Sequence, residues 1–179
     1  LNIFNIPALT ADMLELNKRY ETGRLSTQDF INSYKGIVPD LSEKSMIAIW
    51  NYIIKDFPDY RLDFLKKLAN SNNYKLILLS NTNSLHIDYV VKTVPFFEEF
   101  KAQFDQFYLS HEIRLRKPEK NIFEFVLTEN QLKSEQCLFI DDTPENTKTA
   151  ELMGMHTWTI DPETEDVINL LKQFDLILR

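Results

Sequence analysis

Cysteine is nearly absent: Cys137 is the only one in 179 residues. An intrachain disulfide is therefore excluded, and a reducing, cytoplasmic setting suits the chain. Long apolar runs are missing too. None approaches the roughly 20 residues that a membrane span needs, and no secretory leader is visible. Basic residues do not dominate, since 20 Lys and Arg stand against 27 Asp and Glu for a net charge of −7. That balance excludes the clustered positive footprint of a nucleic-acid binder. It leaves room for a small anionic ligand, because local charge decides that. The three histidines, His86, His111 and His156, share no element at metal-ligand spacing. Internal repeats and low-complexity tracts are absent.

What is present suits a globular protein. The chain is 44% hydrophobic and 26% charged, and it is long enough for one sizeable core with a small appendage. Residues 1–56 read as helical, with no strand signal. Thr10 caps a helix carrying Met13, Leu14, Leu16 and Tyr20, and the Glu21–Arg24 stretch breaks it. Ser26 opens a second helix with Phe30, Ile31 and Tyr34 on one face, closed by Gly36 and Pro39. Ser42 opens a third, in which Met46 to Ile54 recur at helical spacing.

A junction follows at Asp56–Asp59, then a helix from Tyr60 to about Asn70. Beyond it the period changes. Tyr74–Leu79 and Cys137–Ile140 read as strands buried on both faces, Gln106–Leu109 and His156–Ile160 as further strands, with helices between them. Cys137, placed in such a strand, reads as an inert small hydrophobe. This alternation predicts an α/β core with a parallel sheet flanked by helices, residues 57–179, behind a helical unit at residues 1–56.

Three polar clusters share one setting, after a strand and near a helix start: Ser80-Asn81-Thr82-Asn83, Arg116-Lys117-Pro118 and Asp141-Asp142-Thr143-Pro144. Crossover rules bring such positions to one edge of a parallel sheet, where ligands bind. Adjacent carboxylates repel unless a cation neutralises them, and Mg²⁺ favours few carboxylates plus waters and phosphate oxygens. A hydroxyl, backbone amides near a helix start and a lysine are what a phosphate ester needs beside that metal. Taken singly, Asp-Asp also suits a solvated turn, Ser80 a loop cap and Lys117 a surface charge. The three in this order point to phosphate chemistry.

In that order the clusters resemble the second, third and fourth motifs of the haloacid dehalogenase superfamily of phosphohydrolases. The helical region, with Tyr20–Phe30, is similar to the small cap that one subgroup inserts after its first strand. The resemblance implies a Rossmann-like core in which Ser80 and Asn81 bind a phosphoryl group and Lys117 is catalytic, stabilising phosphate and nucleophile. It implies Asp142 as a direct Mg²⁺ ligand with Asp141 beside it, and Asn146 in support. It further implies Asn83, Leu16, Tyr20 and Arg24 as positions that could face substrate, and a small phosphorylated metabolite as that substrate. Oligomeric state stays open.

The family's first motif is an Asp-x-Asp at the end of a central first strand, whose first Asp is the nucleophile. No Asp-x-Asp precedes the cap here, and Leu1–Ile6 is apolar without acids. The expectation is a chain short of about 20 residues, a strand and its connection, at the N-terminus. A non-catalytic phosphate-binding relative and a haloacid dehalogenase are the alternatives. A phospho-accepting receiver domain is disfavoured by motif order, since its acid pair comes first.

Overall fold

The computed structural model describes residues 9–174. The expectation for Leu1–Ile6 lies outside them. The chain divides into two compact units, Leu1–Arg114 and Leu115–Arg179.

The first unit opens with three helices, α1 (Ala11–Glu21), α2 (Thr27–Ile37) and α3 (Glu43–Asn51). Each starts where a hydroxyl meets an otherwise unsatisfied amide. Thr10 Oγ1 accepts from the Met13 amide at 3.3 Å, and Ser26 Oγ and Ser42 Oγ accept from Asp29 and Ser45 at 3.1 Å. Their apolar faces close on Met13, Tyr20, Phe30, Ile31, Tyr34 and Met46, all nearly inaccessible. Leu14, placed on the apolar stripe by periodicity, is 55% exposed. Ile53 falls beyond the end of α3 and is exposed as well.

After α4 (Asp59–Ser71), β1 (Ile77–Ser80) leads into α5 (Ser84–Thr93) and α6 (Phe97–Lys101). Next come β2 (Gln106–Leu109) and a single helical turn, α7 (Ser110–Ile113). The strand expected from Tyr74 starts only at Ile77, because the Leu76 amide donates to the Asp105 carboxylate at 2.7 Å. β1 and β2 pair in parallel, Ile77 opposite Gln106 and Ser80 opposite Leu109. A group of rings, Phe57, Phe97, Phe100, Phe104 and Phe107, packs mostly edge to face.

The second unit runs through α8 (Lys120–Glu129), β3 (Leu138–Asp141), α9 (Pro144–Leu152), β4 (His156–Thr159) and α10 (Leu170–Phe174). β3 and β4 are parallel, Leu138 opposite His156 and Asp141 opposite Thr159. Phe123 of α8 meets Phe139 of β3 at 5.2 Å in a T-shaped contact. Gly154, at φ +86°, turns the chain out of α9.

The architecture is α/β, helices with short parallel sheets. β1 and β3 are half-buried along their length, not buried on both faces as their apolar runs suggested. Each sheet has two strands among the described residues, and a sheet that narrow covers its strands less than a wide one. Cys137 stands one residue before β3, half-buried, its thiol donating to the Lys133 carbonyl. Burial pushes that thiol's pKa up, so it stays protonated and unreactive. Among the described residues no helix is long and apolar enough to cross a membrane.

Candidate active site

The second unit joins three of the expected residues. Lys117 Nζ lies 2.6 Å from Asp141 Oδ2, with the side chains 9% and 7% exposed. The other Asp141 oxygen accepts from Asn146 Nδ2 and from the Thr143 amide, both at 2.9 Å. β3 therefore delivers Asp141 to its C-terminal end, and the first turn of α9 returns Asn146 to hold it. Burial pushes the Asp141 carboxyl up. The Lys117 charge, the Lys117 and Asn146 hydrogen bonds and the Thr143 amide outweigh it, leaving the pKa below the usual carboxylate value. Asp141 is ionised at neutral pH.

Asp142 differs from its neighbour. It is exposed, and its one described hydrogen bond, from Thr143 Oγ1, is long at 3.5 Å. No group of three or more His, Cys, Asp or Glu placed to hold a metal ion occurs among the described residues. One solvent-facing carboxylate beside a second, hydrogen-bonded one suits Mg²⁺, which keeps waters and phosphate oxygens in its shell. Thr143 sits at the expected cap of α9 without a side-chain cap bond. Its amide serves Asp141 instead.

The first unit holds the other cluster. Ser80 ends β1 and is half-buried, as is Asn81. The turn behind them is held on several sides. Ser110 Oγ, fully buried, accepts from the Thr82 amide and donates to the Thr82 carbonyl, both at 2.9 Å. Asn83 Oδ1 accepts from the His86 amide at 3.1 Å and from Trp50 Nε1 at 3.3 Å. The Leu85 amide donates to the Tyr20 hydroxyl at 3.1 Å, and that hydroxyl also shares a 2.9 Å bond with Thr27 Oγ1.

Tyr20 and Asn83, expected to face substrate, are thus core residues, 2% and 1% exposed. Tyr20 stacks on Phe30 with ring centroids 4.1 Å apart, and the polar atoms of Asn83 are taken up by the start of α5. Arg24 is exposed, and Leu16 packs against the helical core.

Sequence reading did not find Ser110, Trp50 or the part played by His86. Their partners lie 28 to 36 positions away, and no local pattern encodes such pairs. His86 is a junction between α3 and the start of α5. Its Nε2 faces the Trp50 carbonyl at 3.1 Å, and its Nδ1 faces Asn83 Nδ2 at 3.2 Å. Asn83 cannot turn its amide over without losing both donors to Oδ1. Nδ1 is therefore the acceptor and Nε2 carries the hydrogen.

Burial lowers the His86 pKa below its ordinary 6.5, although the Trp50 carbonyl opposes this. Below pH 6.5 the unfolded chain takes this proton while the folded chain resists it. Stability present above that pH is lost as pH falls through the window beneath it. His111, also lowered by burial, acts in the same direction. His86→Gln is expected to flatten part of the decline in urea midpoint between pH 7 and 5. Asn83→Asp, with a carboxylate facing Nδ1, is expected to raise the His86 pKa in a proton NMR titration; an unchanged titration would show that position 83 does not face the ring.

β3 ends at two adjacent aspartates and β1 at a polar turn, each at the C-terminal end of a parallel strand, where α/β proteins bind ligands. A family model described as haloacid dehalogenase-like hydrolase matches residues 14–154. The chain belongs to that family. It is similar to the D-ribitol-5-phosphate phosphatase of Bacteroides thetaiotaomicron, 26% identical over 142 residues, 77% of this chain and 68% of that protein. Among solved structures it resembles a HAD family enzyme of Bacteroides thetaiotaomicron in complex with magnesium and inorganic phosphate. The TM-score is 0.76 and the identity 33%, over 85% of this chain and 77% of that one. A HAD-like family hydrolase of Porphyromonas gingivalis has a TM-score of 0.79 at 28% identity, over 92% and 83% of the two chains.

Proposed function

We propose that this protein is a Mg²⁺-dependent phosphatase of small-molecule phosphate monoesters, with phosphorylated sugars and sugar alcohols as the substrate class. The observation that carries the reading is the buried Lys117–Asp141 ion pair directly before an exposed Asp142. A lysine held at that depth by a carboxylate is a fixed positive charge, the kind of group that stabilises a phosphoryl transition state. The similarity to a phosphatase acting on D-ribitol 5-phosphate supports the substrate class.

In this reading Ser80 and the Asn81 amide bind phosphoryl oxygens, and Lys117 offsets their charge. Asp142 and Asp141 hold Mg²⁺, which neutralises negative charge on the phosphate when bound, and Asn146 keeps Asp141 oriented. Residues 1–56 act as the cap that selects substrate. The nucleophile is an aspartate that forms an aspartyl-phosphate. In this reading the 179 residues, which hold no Asp-x-Asp, do not themselves supply that aspartate.

An aryl phosphate assay with Mg²⁺ tests the proposal on the 179-residue chain and on a form extended upstream through an Asp-x-Asp. The extended form is expected to turn over and to stop when EDTA removes the metal. The short form is expected to turn over at least 100-fold more slowly. Equal rates would overturn the assignment of the nucleophile. Phosphate binding without turnover in both forms would support a non-catalytic binding role instead.

A further inference from the structure

The start of α5 is held by side chains distant in sequence. The Leu85 amide, second in the helix, donates to the hydroxyl of Tyr20, 65 positions earlier and on α1. The His86 amide is satisfied by Asn83, and the Thr82 amide and carbonyl both by Ser110. These partners are almost fully buried: Tyr20 2%, Asn83 1%, Ser110 0% and Thr82 7% exposed. No solvent is at hand to replace a lost bond.

Two consequences follow from the bonding pattern. The Leu85 and His86 amides are already engaged, so an anion at this turn must rely on the Ser80–Asn81 end. The position of that end is set by how α5 begins, since three residues separate Asn81 from Leu85. A buried amide without an acceptor is costly, so removing its partner forces the local backbone to seek another.

We propose that Tyr20 is a positioning residue for the phosphate-binding turn at Ser80–Asn81. Its hydroxyl fixes the first turn of α5 and so ties the helical region to the residues that hold phosphate. The inference rests on the phosphatase reading given above and adds to it a residue that touches no substrate. Tyr20→Phe isolates the effect, because the ring that stacks on Phe30 is retained and only the hydroxyl is lost. Thr27→Val is the control: it removes the other bond to that hydroxyl and leaves the Leu85 amide served.

Binding of inorganic phosphate in the presence of Mg²⁺, measured calorimetrically on the 179-residue chain, is the direct test, with thermal midpoints recorded alongside. Tyr20→Phe is expected to weaken phosphate binding about five- to tenfold, the scale of one lost hydrogen bond. Thr27→Val is expected to change it less than twofold. A lower midpoint in Tyr20→Phe with phosphate affinity unchanged would make Tyr20 a packing residue and overturn the inference. If Tyr20→Phe does not fold, Ser110→Ala, which releases both polar atoms of Thr82, is read in the same way. Wild-type protein that binds no phosphate, or binding indifferent to Ser80→Ala, would overturn the phosphatase reading itself. Binding that responds to Ser80→Ala but not to Tyr20→Phe would overturn only the role of Tyr20.

Discussion

Lys117→Met is expected to cost about 3–5 kcal/mol of stability, the usual penalty for stranding one half of a buried ion pair. The Asp141 side chain, 7% exposed, would keep its bonds from Asn146 and Thr143 but lose its counter-charge. In the wild type its lowered pKa contributes stability above the unfolded carboxylate's pKa, lost as pH falls through the folded value. In Lys117→Met, burial is no longer opposed by the amine and the carboxyl pKa rises. The deficit is therefore expected to be largest at neutral pH and to shrink toward pH 4, as urea titrations at several pH values would show. Adding Asp141→Leu should recover most of the stability, since an apolar pair of similar volume removes the buried charge. Neither variant should recover Mg²⁺-dependent phosphate binding. A single variant as stable as wild type would show that the pair is solvated and the amine not fixed by it.

Gly23→Ala carries the second large effect. Gly23 adopts φ +60°, and a Cβ built there would lie 2.1 Å from the His111 backbone oxygen and 3.1 Å from its carbonyl carbon. The left-handed conformation alone costs a side-chain residue about 1 kcal/mol. The contact is with main chain, so no rotamer can relieve it, and the α1–α2 turn must withdraw from α7. We expect a total loss of about 3 kcal/mol or more, at the upper end for single substitutions, seen as a lower urea midpoint. Gly36→Ala is the internal comparison. It lies within α2, meets nothing within 4 Å, and should gain about 0.5–1 kcal/mol, as helix propensity dictates. Equal effects at the two positions would mean that the Gly23–His111 approach is looser than described.

These two sites mark where sequence reasoning succeeds and where it stops. Caps were legible, since Thr10, Ser26 and Ser42 precede helices and each bonds an amide three residues on. The four strands among the described residues were legible, two of them as apolar runs, although β1 began later than its run because Asp105 took the Leu76 amide. The Lys117, Asp141 and Asn146 cluster could be named from motif order. Its depth could not, because the same letters describe a solvated turn. Tyr20 was the opposite case, singled out as facing substrate and found sealed against Phe30.

Local chemistry, then, was enough to assign the α/β class and the element boundaries to within a few residues. Hydroxyl caps, apolar periodicity and adjacent charges act over three or four positions, and a linear reading contains them. Tertiary structure alone decided which polar atoms are dry and who serves them. Asp141 became a buried, ionised partner of Lys117, and the hydroxyl of Tyr20 reached an amide 65 residues away. Burial and partnership depend on pairs the folded backbone brings together from distant positions, and no spacing along the chain encodes those distances.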